Sequence, residues 1–371
     1  MARDELILFT PGPVRIPPSV AHALSHPRCN YHRQDAFRDM FKETEVALKQ
    51  LIGIKRADDF YATIMTATGT GANEACLLAF EPLGKGLIVN NGFFAARAVD
   101  QARQNGIAIE TLDLPTDQPI DVAAVEAVLD RDATIKWVFF VSHETRAGLR
   151  NPLEQLGKLC KQRGLMVAVD VISSAFAYPI DLEAAQVDLA TASSAKAIMA
   201  APGLGIIFTR KAAVPTLAKA GQQTSARGYY LDVVAEYQKQ ASEAQTRFAQ
   251  PVALHAALHA ACMHLTEVGI ARHYQRIQDQ MAALIEHLAT LGAGGTRPLL
   301  EEAFRSNIAV NFRLPQGTTY AQFSKRMEEL GYFCLYGIPG DQTHFQLSTI
   351  GDLTDAHIEG MKSALTDVLK R

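Results

Sequence analysis

From about residue 61 to 210 the chain alternates short unbroken apolar runs with segments whose apolar residues recur every three or four positions. The runs cover 62–65, 87–90, 137–142, 166–170, 189–192 and 205–209. They are too short for amphipathic helices and lack a polar face, so they predict strands buried on both sides. The intervening stretches 122–129 and 152–163 predict helices. This alternation predicts an α/β domain with a mainly parallel sheet between helices. In such sheets ligands gather at the carboxyl ends of the strands, so the residues just after each run are the ones to inspect.

Past about residue 210 the pattern changes. Segments 249–267 and 270–291 predict long helices, the second closed by Gly292-Ala293-Gly294-Gly295. A strand (307–312), a helix (320–330), two strands (333–336 and 344–348) and a final helix (354–370) follow. They predict a smaller α+β domain. The expected division is a large domain over 21–255 and a small C-terminal domain over 256–371, after a leading segment at 1–20. A chain of 371 residues suits two cores better than one.

Composition narrows the function. With 48% hydrophobic and 20% charged residues, a net charge of −3 and a pI near 6.4, the chain offers no basic surface for nucleic acid or an acidic membrane. The five cysteines are scattered and never form a C-x-x-C pair, which argues against a zinc site and a disulfide framework. No apolar stretch has the length of a signal peptide or a membrane span, so a cytoplasmic enzyme is expected.

Four segments after predicted strands carry candidate chemistry. Lys196 lies among small uncharged residues in Ala192-Ser193-Ser194-Ala195-Lys196-Ala197. Burying an ammonium there is costly unless its pKa falls or the amine reacts, as in a Schiff base. A solvated loop lysine is the plain alternative. Asp170 ends an apolar strand, where it reads either as an anion beside a heteroaromatic nitrogen or as a helix cap. Thr66-Ala67-Thr68-Gly69-Thr70-Gly71 opens a helical pattern and suits an anion at a helix N-terminus, though taken alone it reads more simply as a ligand-free turn. It is neither a P-loop nor a dinucleotide fingerprint. Phe94, in Asn91-Gly92-Phe93-Phe94-Ala95-Ala96-Arg97, either stacks on a planar ring or fills the core.

In order and spacing these segments resemble the class V, fold-type I aminotransferases that use pyridoxal 5′-phosphate (PLP). The resemblance covers nearly the whole chain. Thr10-Pro11-Gly12-Pro13-Val14 is similar to the family's opening motif, and Thr68-Gly69-Thr70 to its phosphate loop. The stretch Asn91-Gly92-x-Phe94-x-x-Arg97 matches the motif whose aromatic stacks on the cofactor. Further matches are Ser142-His143-Glu144-Thr145-x-x-Gly148-x-x-Asn151-Pro152, Asp170 with Ser173-Ser174, and Lys196 with Pro202-Gly203-x-Gly205. Within the family the chain resembles most the members acting on 2-aminoethylphosphonate and pyruvate, and more distantly the alanine–glyoxylate aminotransferases.

The resemblance implies roles. Lys196 would bind PLP covalently and later carry a proton, while Asp170 would keep the pyridine nitrogen protonated. Thr68, Gly69 and Thr70 would cradle the phosphate, Phe94 would stack, Thr145 would meet the ring hydroxyl side, and Ile172 would lie against the ring. Arg247 would reach the phosphate of a neighbouring subunit, implying a homodimer with shared active sites. The segment 1–20 would line the site. Gly12, Arg15, Arg33 and Gln346 would surround the substrate. The expected reaction moves an amino group from a small anionic amine, such as 2-aminoethylphosphonate, to an oxo acid such as pyruvate.

Three positions depart from the family pattern. Ala195 stands where relatives carry Asn or Gln, Ala249 where the most similar ones carry threonine, and Gln346 where relatives fork an arginine onto the substrate carboxylate. Glutamine brings no charge to that place. Arg15, Arg33 and His344 are candidate replacements, and a PLP-dependent lyase is the alternative reaction. A desulfurase would need an exposed thiol, whereas Cys334 reads as buried in a strand. A PLP-fold binding protein without activity would not need both Lys196 and Asp170.

Overall fold

The computed structural model describes residues 6–29, 31–222, 228–291, 296–337 and 340–370. Gly292–Gly295, expected to close a long helix, lie outside the described residues. The chain opens with a short strand β1 (Ile7–Phe9) and two helices, α1 (Pro18–Ser25) and α2 (Asp35–Ile52). Alternation then begins: β2 (Phe60–Thr66), α3 (Gly69–Phe80), β3 (Gly86–Asn90), α4 (Phe93–Gln104), β4 (Ile109–Asp113), α5 (Val122–Arg131) and β5 (Trp137–Val141). A small hairpin, β6 (His143–Glu144) and β7 (Leu149–Arg150), precedes α6 (Leu153–Gln162), β8 (Met166–Asp170), β9 (Leu189–Ser193) and β10 (Leu204–Arg210).

Seven strands form one sheet in the order β2-β10-β9-β8-β5-β3-β4. Only β10 runs against its neighbours, pairing antiparallel with β2 and β9. All six apolar runs end within one residue of the observed strands, and five of them also begin within one, because their side chains are buried on both faces. In β5, Trp137 and Phe139 enter one core cluster while Val138 and Phe140 enter the other. Strand β4 had no such signature. It is the sheet edge, its residues Ile109–Leu112 are half-buried, and acidic positions interrupt its apolar ones. Amphipathic α2, likewise unassigned from the sequence, packs its apolar face on β2 and on a later helix, α9.

Helices α7 (Val214–Gly221) and α8 (Val233–Glu243) follow, then α9 (Val252–Val268) and α10 (Ile270–Ala289). The α9 helix begins three residues later than its apolar spacing suggested, because Pro251 caps it and brings no backbone N–H. A third core cluster joins the end of α10 to β11 (Val310–Arg313), α11 (Tyr320–Glu329), β12 (Tyr332–Cys334), β13 (His344–Leu347) and α12 (Asp355–Leu369). Phe9 belongs to this cluster, since β1 pairs in parallel with β12. The leading segment is thereby anchored at the C-terminal unit and runs from there across the end of the main sheet. Among the described residues no helix is long and apolar enough to cross a membrane.

Candidate active site

The parallel strands β2, β3, β5, β8 and β9 all point their carboxyl ends toward one cavity of about 320 Å³. Nine residues expected at the site border it: Gly12, Thr68, Gly69, Thr70, Phe94, Thr145, Asp170, Ile172 and Lys196. Asn73, Arg97, His143, Ser173 and Ser193 join them there.

Lys196 stands in the turn after β9, its side chain bordering the cavity and otherwise enclosed by protein. Its Nζ donates a 2.7 Å hydrogen bond to the Pro11 carbonyl. Burial lowers its pKa to about 8, with Arg146 and Arg97 adding to the fall and Asp170 opposing it. The leading segment covers the amine closely: a Cβ at Gly12 would stand 2.6 Å from Nζ, and Gly12 has a φ of +136°. Both facts demand glycine at that turn.

Asp170, the last residue of β8, is buried at 3% exposure. One oxygen accepts from the Ile172 N–H at 2.8 Å and the other from the Asn73 amide at 2.7 Å. Thr191 donates in turn to the Asn73 side-chain carbonyl, which fixes the orientation of that amide. Burial pushes the Asp170 carboxyl up, while Asn73, Ile172 and the charge of Lys196 pull it back.

At the end of β2, Thr68 occupies the N-cap of α3 in extended conformation, yet its side chain makes no capping bond. The first N–H groups of a helix have no intrahelical acceptor and carry its positive end. Here they face the cavity beside Arg97, whose Nη1 donates to Thr70 Oγ1 at 3.2 Å. Gly69 is required by packing, since a Cβ there would meet Ile172 Cδ1 at 2.7 Å.

The opposite wall is the β6–β7 hairpin. Ser173 Oγ accepts from Thr145 Oγ1 at 2.7 Å and donates to the His143 carbonyl at 3.1 Å. With its proton so placed, Ser173 accepts from His143 Nδ1, and Ser306 Oγ donates to Nε2 at 2.6 Å. Burial, and then the Lys196 charge, hold that imidazole neutral, with a pKa near 3. Glu144 caps α4 by accepting from the N–H groups of Phe94 and Ala95 at 3.0 and 2.7 Å. It thereby sets Phe94 at the cavity rim, and burial raises its own pKa to about 7.

Four expected residues do not border this cavity. Gln346 is buried, and its amide donates to the Thr145 and Arg146 carbonyls at 2.7 and 3.3 Å, so a glutamine there braces the hairpin. Arg15 is stitched by its backbone to Gly351-Asp352, and its charge bears on His357. Arg33 is exposed. Arg247 donates to the Tyr229 carbonyl and lies against the Tyr229 and Phe248 rings at 5.5 and 4.9 Å. Arg97, His143 and Ser173 lay inside quoted motifs without an assigned role, and Asn73 lies two residues past the Thr66–Gly71 segment. Their signal was present, but the partner that gives each a function lies far away in sequence.

The donor set suits PLP. A buried carboxylate, a buried amine of lowered pKa, an uncapped helix N-terminus and an aromatic ring border one slot whose glycines at 12 and 69 leave no room for a Cβ. Among the described residues no cluster of His, Cys, Asp or Glu is suited to a metal ion.

Comparison with known proteins agrees with this geometry. A profile of the family described as Aminotransferase class-V matches residues 8–328. A 2-aminoethylphosphonate–pyruvate transaminase of Burkholderia thailandensis is 30% identical over 374 aligned residues, covering 100% of this chain and 98% of that protein. Among solved structures, an alanine–glyoxylate aminotransferase from Nostoc sp. superposes with a TM-score of 0.90 at 26% identity, covering 98% of this chain and 95% of the other. An aspartate aminotransferase from Thermus thermophilus gives 0.83, also at 26%, covering 98% and 99%.

Proposed function

The chain belongs to the class-V aminotransferases, and on that premise we propose that it uses PLP to move an amino group from a small anionic amine of the 2-aminoethylphosphonate kind to an oxo acid such as pyruvate. The observation that carries the reading is the placement of Lys196 and Asp170 on one cavity beside the bare N-terminus of α3. When bound there, PLP supplies an aldehyde for the amine and a ring that draws electrons from the donor's Cα.

The residues supply the rest. The first N–H groups of α3, with Thr68, Gly69 and Thr70, hold the phosphate. Phe94 and Ile172, which both border the cavity, would pack against the ring. Asp170, its oxygens oriented by Asn73 and the Ile172 N–H, places negative charge beside the ring nitrogen and keeps a proton there. Thr145, its hydroxyl held by Ser173, would lie on the ring-hydroxyl side, backed by neutral His143. Lys196 removes the proton from the donor's Cα once its amine is free, a task suited to a pKa near neutrality. Gly12 and Pro11 roof the lysine and exclude water.

Arg247, which does not border its own chain's cavity and lies against the exposed Tyr229, supports a homodimer in which it serves the partner's phosphate. Five free, buried thiols suit a reducing compartment, and the reading places the enzyme in the cytoplasm. Cys334 is buried in β12, so it offers no exposed thiol for desulfuration.

Two outcomes are expected. With PLP bound, 2-aminoethylphosphonate should convert the visible spectrum to that of the pyridoxamine form, and pyruvate should restore it. Absence of this exchange, or ammonia release without an oxo acid, overturns the reading. In the cofactor-free protein, the pH profile for acylation of Lys196, followed by peptide mass spectrometry, should have its midpoint near 8, because burial disfavours the ammonium. An ordinary lysine titrates near 10.5.

A further inference from the structure

A transaminase of small anionic substrates needs a cation for their charged end, and Gln346 supplies none. Arg146 lies one residue beyond Thr145, at the tip of the β6–β7 hairpin. Consecutive residues divide the wall there: Phe94 and Thr145 border the Lys196 cavity, whereas Phe93 and Arg146 border an adjoining cavity of about 550 Å³. The guanidinium is held between two rings, 5.0 Å from the Phe93 centroid and 4.8 Å from that of Tyr336. Its polar contacts among the described residues are carbonyl oxygens, Tyr336 O at 3.2 Å and Gly337 O at 3.5 Å. No carboxylate pairs with it among the described residues, so its charge is not neutralised within the chain. That charge reaches the active amine, since Arg146 helps to lower the pKa of Lys196.

The turn is also built to stay in place. Asn311 donates to the Arg146 and Ala147 carbonyls at 2.8 and 2.9 Å, and Gln346 adds its bonds to the Thr145 and Arg146 carbonyls. The residue at 346 therefore fixes the backbone that carries a different arginine. Arg97, the other cation near Lys196, is tied to Thr70 in the first turn of α3, where the phosphate would bind.

We propose that Arg146 binds the anionic end of both substrates, the phosphonate of the amine and the carboxylate of the oxo acid, in place of an arginine at position 346. This rests on the transaminase reading and specifies its substrate subsite. A guanidinium forks onto either oxyanion with paired hydrogen bonds, and flanking rings keep it in plane and shield it from water. The adjoining cavity gives the tail of the substrate room beyond the cofactor slot. The same residue serves each substrate in turn, because the two occupy the site in alternate half-reactions.

The test uses the PLP-loaded enzyme and two unreactive probes, propionate and ethylphosphonate, titrated by calorimetry. Arg146→Gln should weaken both by roughly 10- to 100-fold, as loss of a charge-assisted pair does. It should also raise KM for both substrates more than it lowers kcat, and leave PLP affinity unchanged. Arg97→Gln should do the reverse, loosening PLP with little effect on the probes. In the wild type, ethylphosphonate should protect Arg146 from phenylglyoxal, mapped by mass spectrometry, which requires no variant to fold. Probe affinity within twofold of wild type in Arg146→Gln, or unprotected labelling of Arg146, overturns the proposal. Weakening of one probe alone confines the site to that substrate and overturns the shared role. Calorimetry reports anion binding whether or not amino transfer occurs, so this inference and the transaminase reading fail separately.

Discussion

Lys196→Ala is expected to abolish amino transfer, lowering kcat/KM by about 10⁴-fold or more, because in the proposed reaction one amine serves both as the attachment point and as the proton carrier. No other described lysine borders the cavity, so no neighbour takes over. The fold should survive. Among the described residues the Lys196 amine makes one hydrogen bond, to Pro11, and its ammonium is disfavoured where it lies. That penalty gives a second readout. The folded amine titrates near 8 and the unfolded one near 10.5, so between these values the unfolded chain binds the extra proton. Stability of the cofactor-free wild type should therefore rise with pH across that window, by roughly 3 kcal/mol in all. Urea unfolding at pH 7.5 and 9.5 should show this rise in the wild type and lose it in Lys196→Ala. Equal pH slopes would mean that the lysine is solvated, and retained activity would remove it from the mechanism.

Asp170→Asn should cost about 10²–10³-fold in kcat, the scale on which a pre-organised charge acts at a reaction centre. The substitution keeps the shape but removes the charge proposed to face the ring nitrogen. It also sets an amide N–H₂ against one of two donors, the Ile172 N–H or the Asn73 amide, leaving a buried mismatch worth about 1–3 kcal/mol. Asn73→Ala separates the two effects, since it keeps the charge and removes one bond. Its loss in kcat should be nearer tenfold. Single-turnover spectra with 2-aminoethylphosphonate read the chemical step directly. Equal losses in the two variants would assign the role of Asp170 to packing instead of charge.

Both predictions concern residues that stood out before any fold was known, and the reason is local. A buried strand is a run of adjacent apolar residues, and the residue ending it is named by position alone. Asp170 ends β8, Lys196 follows β9 and Thr68-Gly69-Thr70 follows β2. A parallel sheet then brings such ends to one edge by its topology. The same locality explains the elements that were not legible. Edge strand β4 has polar neighbours and no continuous run. The start of α9 depended on Pro251, whose effect is felt at one residue only.

The sequence alone thus determined the alternating α/β architecture and the positions of six of the seven sheet strands, because each is written in neighbouring positions, and its motifs named nine residues around the cavity. Tertiary structure decided what those residues lean on. Asn73 orients Asp170 from α3, Pro11 caps Lys196 from a segment anchored at β12, and Ser306 braces His143 from beyond α10. It also turned Gln346 onto the hairpin and left Arg146 without a carboxylate partner among the described residues. Such contacts join residues 97 to 201 positions apart, and no local pattern encodes which of two distant side chains will meet.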